Sequence, residues 1–231
     1  MISEEDMEDR KGLLKDALVK FTAGVILLGI LIFLPAWDIK WSNGWMFMAL
    51  LFIPMCIAGT VMYLKAPELL RSRLRNKESE GEQKQVIRGS GLMFLAAFIV
   101  AGLNHRFGWV HFPKPVVIAG CVIFLLSYVM FAEVLRENAY LSRIIEIQDG
   151  QKVVDTGLYG IVRHPMYSAT VFLFLSMALI LDSPISFLIM LVYIPLIAKR
   201  AKNEEKVLEE GLEGYTEYEN KVKYRIIPFI W

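Results

Sequence analysis

Six apolar blocks, each close to the length that crosses a bilayer, leave few folds open to this chain. They run over 18–37, 44–64, 89–103, 115–135, 166–181 and 184–198. A helix needs about 20 mostly apolar residues to span the hydrocarbon core. Backbone polar groups in lipid must be satisfied within the segment, which at this block length leaves helices. The expected fold is all-α, a polytopic transmembrane bundle of about six spans. The third block is short enough that five spans plus a re-entrant piece is the alternative. Only Asp182 and Ser183 separate the last two blocks, so these read as a tight helical hairpin with Pro184 in the first turn of the last helix.

Charge sets the orientation. With six spans, every Lys and Arg except Lys40, Arg106 and Lys114 falls on one side, with both termini, the 65–88 and 136–163 connections and the tail. The positive-inside rule puts that side in the cytoplasm and favours an even number of spans. Trp37, Trp41, Trp45 and Trp109 fall near the opposite boundary, as an aromatic belt does. The first twenty residues carry mixed charge rather than the basic start of a secretory signal, so the first block is expected to stay as an anchor. A net charge of +1 with no free basic stripe argues against a nucleic-acid partner. Cys56 and Cys121 lie inside apolar blocks and no Cys/His spacing suggests a metal. Membrane lipids are the expected surroundings; the oligomeric state stays open.

The chain divides into residues 1–135, holding the first four blocks, and residues 136–231, where the chemistry-bearing residues collect. In the connection over 136–165, Asp149-Gly150 between β-favouring stretches predicts a hairpin turn. Pro165 marks a helix start and pushes His164 out of the helical region. Arg163 and His164 are therefore expected in extended backbone before a helix N-terminus, a position that faces anions. Pro195 predicts a kink in the last span. Beyond it, Arg200 and Glu204 share one helical face, with Glu205 beside them. Ionisable groups where spans leave the bilayer need a reason, and a site at that face supplies one. The dull reading of each is available too: flanking cations, a helix-starting Pro, an interfacial Tyr. His105 and His111 read as solvated loop histidines without an acid nearby. Glu133 and Glu137 read as partners of Arg136 or Arg163, and Asp38 and Asp182 as cap or turn residues. No Gly-x-Gly-x-x-Gly, Walker or Gly-x-Ser-x-Gly pattern occurs, so a soluble nucleotide-binding domain is not expected.

One ordered set ties these residues together. Val153-Val154-x-x-Gly157-x-Tyr159-x-x-x-Arg163-His164-Pro165-x-Tyr167, then Arg200-x-x-x-Glu204-Glu205, then Tyr215-x-x-Tyr218 and Arg225-x-x-Pro228 resembles the isoprenylcysteine carboxyl methyltransferase and phospholipid methyltransferase superfamily. The resemblance covers about residues 136–231. It implies an integral membrane enzyme whose S-adenosylmethionine (SAM) sits among the last two spans and their cytoplasmic connections. Carried over residue by residue, Gln151, Lys152, Val153, Val154, Gly157, Tyr159, Arg163, His164, Pro165, Met166 and Tyr167 would form the cofactor site. Glu204 would bind the cofactor, at its amino group. Arg200 would orient a lipophilic methyl acceptor, and Glu205 or His164 would take a proton if that acceptor were an amine. Gln151 stands where many members have His, and Ala169 where Gly is usual.

Within the resemblance, methyl transfer to the carboxylate of a prenylcysteine-type acceptor stands beside phospholipid N-methylation and methylation of a small thiol or amine. Outside it, a transporter would want its polar groups at mid-bilayer in broken helices, whereas here the ionisable residues gather at one face. A non-catalytic scaffold or sensor would not need Arg200, Glu204, His164 and Tyr167 together.

Overall fold

The computed structural model describes residues 4–74, 81–138, 140 and 147–231. Among them the chain is helical and holds no strand. In order, the helices are α1 (Glu4–Ala36), α2 (Ser42–Lys65), α3 (Pro67–Leu74), α4 (Gly81–Phe107), α5 (Lys114–Glu137), α6 (Pro165–Ile180), α7 (Pro184–Met190), α8 (Tyr193–Gly211) and α9 (Tyr215–Lys221). Five stretches are long and apolar enough to cross a membrane: Glu8–Ala36, Ser42–Lys65, Val86–Phe107, Lys114–Glu137 and Pro184–Gly211. The chain is a multi-pass membrane protein. The third stretch is 22 residues, longer than its apolar block, because the helix runs on through polar residues at both ends. The shorter apolar helix α6 lies beside them.

The surface fits lipid. Leu27 and Leu34 on α1, Ile57 and Leu64 on α2, and Leu126 and Val129 on α5 are largely exposed. So much outward apolar area is a liability in water and an asset in a bilayer. The core instead runs through the middle of the bundle, from Ile32 and Phe47 to Phe124, Ile180 and Met190. Small residues set the closest approaches. A Cβ on Gly120 of α5 would lie 2.6 Å from Leu179 Cβ of α6, so these helices touch backbone to backbone.

The hairpin after α6 forms where the sequence places it. Asp182 adopts φ 54°, and Ser183 Oγ accepts from Ser186 N at 3.2 Å to cap α7. The last span breaks at Leu191-Val192, ahead of Pro195 rather than on it. Proline has no N–H for the carbonyl four residues back, and its ring crowds that carbonyl, which here is Leu191. The last span thereby splits into α7 and α8.

At the end of the bundle away from the termini, two expectations are corrected. His105 and His111 each have an acid, brought from a distant turn: His105 Nε2 lies 3.0 Å from Asp38 Oδ2, and His111 Nδ1 lies 2.9 Å from Asp182 Oδ2. The Asp182 turn also accepts from Phe112 N at 2.7 Å. Trp41 is not part of an exposed belt; it is buried and stacks on the His105 ring.

Candidate active site

The connection between α5 and α6 is folded by its own turns. Gln151 N donates to Gln148 O across Asp149-Gly150, with Gly150 at φ 73°. The expected turn is therefore present, while the preceding arm of that hairpin, 144–146, lies outside the described residues. A single 3-10 turn, Gly157–Gly160, follows. Glu137, at the end of α5, accepts from Leu158 N at 3.1 Å. Gly157 sits at φ 51°, and a Cβ there would lie 1.7 Å from Glu137 Oε1. Gly157 is thus required by packing and backbone alike, and it shapes the cavity wall without lining it. Glu133 pairs with Arg136 as expected.

A cavity of about 810 Å³, counting its open mouth, lies between this connection, the start of α6, the end of α8 and α9. Its wall includes Gln151, Lys152, Val153, Val154, Tyr159, Arg163, His164, Pro165, Met166, Tyr167 and Glu204. The family resemblance implies all of these for a cofactor site. Asn138, Tyr140, Leu208, Leu212, Tyr215 and Tyr218 line it as well. Leu208 and Leu212 had a signal in hindsight: with Glu204 they form an i, i+4, i+8 row on one helical face.

At one end of the cavity, Tyr167, Glu204 and Arg200 form a chain. The Tyr167 hydroxyl donates to Glu204 Oε2 and accepts from Arg200 Nε at 3.1 Å. The His164 ring stacks on Tyr167 with centroids 5.3 Å apart. Two helices thus contribute to one polar corner, α6 with His164 at its cap and Tyr167, and α8 with Glu204 on the cavity wall and Arg200, which does not itself line the cavity.

Glu205 is placed differently from its neighbour. Successive helical residues point about 100° apart, and Glu205 turns away from the cavity into a buried ion cluster. Arg163 Nε donates to its Oε1 at 2.8 Å, Arg225 Nε donates to its Oε2 at 2.6 Å, and His164 Nε2 lies 3.3 Å from Oε1. Arg163 also meets Glu219 at 2.9 Å. The extended backbone expected at Arg163 and His164 does not face an anion. Arg163 N donates to Tyr224 O at 2.9 Å and His164 N to Arg225 O at 2.8 Å. The C-terminal tail takes those N–H groups, and Ser168 Oγ donates to Ile226 O at 2.5 Å beside them. The tail therefore packs against the wall residues Arg163 and His164.

Phenols line much of what remains. The Tyr159 hydroxyl accepts from Asn138 Nδ2 at 2.9 Å, and Tyr218 donates to the Tyr159 carbonyl at 2.8 Å. Burial pushes the Tyr159 phenol up to about 12, against the weaker pull of Asn138. Burial also drives Tyr215 and Tyr218 far above the ordinary phenol range.

Comparison with known proteins falls on this region. Residues 116–210, from α5 through most of α8, match the isoprenylcysteine carboxyl methyltransferase (ICMT) family. The match takes in 95 of the chain's 231 residues. It contains both ends of the Tyr167–Glu204 contact and every cavity residue up to Leu208. A Delta(14)-sterol reductase from Arabidopsis thaliana is 25% identical over 133 residues, 53% of this chain and 36% of that protein. The chain therefore spans about a third of the length of that curated relative. A solved structure of the eukaryotic intramembrane Ras methyltransferase ICMT aligns at 16% identity with a TM-score of 0.49, covering 94% of this chain and 86% of that one. The ICMT match ends just before Gly211, so Leu212, Tyr215 and Tyr218 complete the cavity from outside it.

Proposed function

We propose that the protein is an integral membrane methyltransferase of the ICMT type, which binds SAM in this cavity and methylates the carboxylate of a lipophilic acceptor. The observation that carries the reading is the corner formed by Tyr167, Glu204 and Arg200 inside an ICMT-matching segment. The wall suits SAM at both ends. A carboxylate, a phenol and an imidazole suit a tail bearing an ammonium and a sulfonium, and Val153, Leu208 and Leu212 suit a flat heterocycle. Bound there, SAM would supply an electrophilic methyl to the acceptor oxygen, its sulfur keeping the electron pair of the broken S–C bond.

The chain's own residues then have four tasks. Glu204 holds the ammonium end, with its carboxylate oriented by Tyr167. Arg200, its guanidinium plane set by the Nε contact to Tyr167, orients the acceptor carboxylate. A carboxylate is already anionic near neutral pH, so no base is required. The wall excludes water and fixes the two reactants in line, which is where the rate gain of such a site comes from. By the positive-inside rule this end of the bundle and both termini face the cytoplasm.

A reductase reading has the Delta(14)-sterol reductase similarity behind it. It would require a hydride donor in the same cavity. A phosphate-rich dinucleotide would meet Glu204, and of the lining cations Arg163 is already paired with Glu205 and Glu219. The charge balance favours the methyl donor.

The test is a radiolabelled methyl-transfer screen in one detergent, comparing prenylcysteine, phosphatidylethanolamine and small thiols. Labelling of prenylcysteine that is lost in Arg200→Ala supports the reading. Transfer to phosphatidylethanolamine or a thiol alone would move the protein to another branch of the superfamily.

A further inference from the structure

Tyr215 is the cavity residue that the polar corner leaves unexplained. It is 4% exposed and lines the cavity, yet its hydroxyl has no hydrogen-bond partner among the described residues. The other phenols of the wall are satisfied. Tyr167 bonds Glu204 and Arg200, Tyr159 accepts from Asn138, Tyr218 donates to the Tyr159 carbonyl, and Tyr140 donates to Gly150 O at 3.0 Å. A buried hydroxyl left unpaired is a free-energy cost that a phenylalanine would not carry.

The side chain is held where it is. Gly214 at φ 83° starts α9, and Tyr215 N donates to Leu212 O at 3.1 Å. The ring packs in a cluster with Leu212, Tyr218 and Val222, against Val153 and Leu208. The wall along α8 also has a direction. Glu204 and Leu212 are eight residues apart on one face, about 12 Å at the rise of a helix. Glu204 marks a charged end, and Leu212 and Tyr215 mark an apolar one. A ligand with an ammonium tail and a heterocycle at opposite ends follows that gradient.

We propose that Tyr215 is a ligand-binding residue whose hydroxyl donates a hydrogen bond to the nucleoside of the bound cofactor. This rests on the SAM reading and extends it to a residue beyond the ICMT-matching segment. Burial keeps the phenol protonated, and so a donor, well into alkaline pH.

The experiment titrates S-adenosylhomocysteine and adenosine into the purified full chain and its Tyr215→Phe variant, with the melting temperature of each unliganded protein measured alongside. The expected result is about tenfold weaker binding of both probes to Tyr215→Phe, the loss of one hydrogen bond. Its unliganded melting temperature should equal or exceed that of the wild type, which a merely structural tyrosine would not give. Equal affinities in the two proteins would overturn the assignment. A melting temperature that falls along with affinity would also overturn it, by showing a structural partner for the hydroxyl. A wild type that binds neither probe would sink the SAM reading itself, and Tyr215 with it.

Discussion

Arg163 and Glu205 form an ion pair at 2.8 Å with both side chains at most 4% exposed, joining the start of α6 to α8. Charges so thoroughly desolvated are held by geometry, and removing one strands the other. Glu205→Ala should therefore destabilise the protein by about 3–5 kcal/mol, as broken buried pairs do. Melting in detergent checks this. The variant should lose folded yield before any specific loss of turnover can be read, whereas Glu204→Gln should melt like the wild type and lose transfer.

Tyr167→Phe removes a single oxygen shared by Glu204 and Arg200. Hydrogen bonds to charged groups are worth about 2 kcal/mol, and these are made in the unliganded fold, so the variant should melt lower as well as lose roughly 30-fold in kcat/KM. Steady-state kinetics with each substrate varied in turn would show whether donor or acceptor binding carries the loss.

Gly157→Ala tests the wall rather than the chemistry. The new Cβ would meet the Glu137 carboxylate in a backbone conformation that alanine rarely adopts. Glu137 must then release Leu158 N. A loss of about 1–3 kcal/mol is expected, together with weaker cofactor binding, measurable by melting and calorimetry.

Much of this site was legible because it rests on local rules. Asp182-Ser183-Pro184 spelled a tight turn and formed one. Gly157 through Tyr167 stand out as an ordered set, and all the positions of that set expected at a cofactor site except Gly157 line the cavity. What stayed hidden depends on partners far along the chain. Nothing near Glu205 in sequence announces Arg163 or Arg225, so its separation from Glu204 emerges only once the tail is folded back. The acids of His105 and His111 arrive from turns 67 and 71 residues away. The break at Leu191 was misplaced by a few residues because proline disturbs the turn before it.

The buried phenols give a pH signature. Tyr159 is raised to about 12 by burial, and Tyr215 and Tyr218 are raised too. A phenol raised in the folded state lends full stability below its unfolded value of about 10 and loses it as pH climbs towards the folded value. Stability should hold through neutral pH and fall from about pH 10 upward. Melting temperature against pH would show this, and Tyr159→Phe should blunt the alkaline fall.

The most direct measurement is calorimetric titration of S-adenosylhomocysteine into the purified protein, with Glu204→Gln in parallel. Micromolar-scale binding, about −8 kcal/mol, that weakens strongly in Glu204→Gln is the predicted result. No heat and no thermal shift from a folded, monodisperse wild type would contradict it.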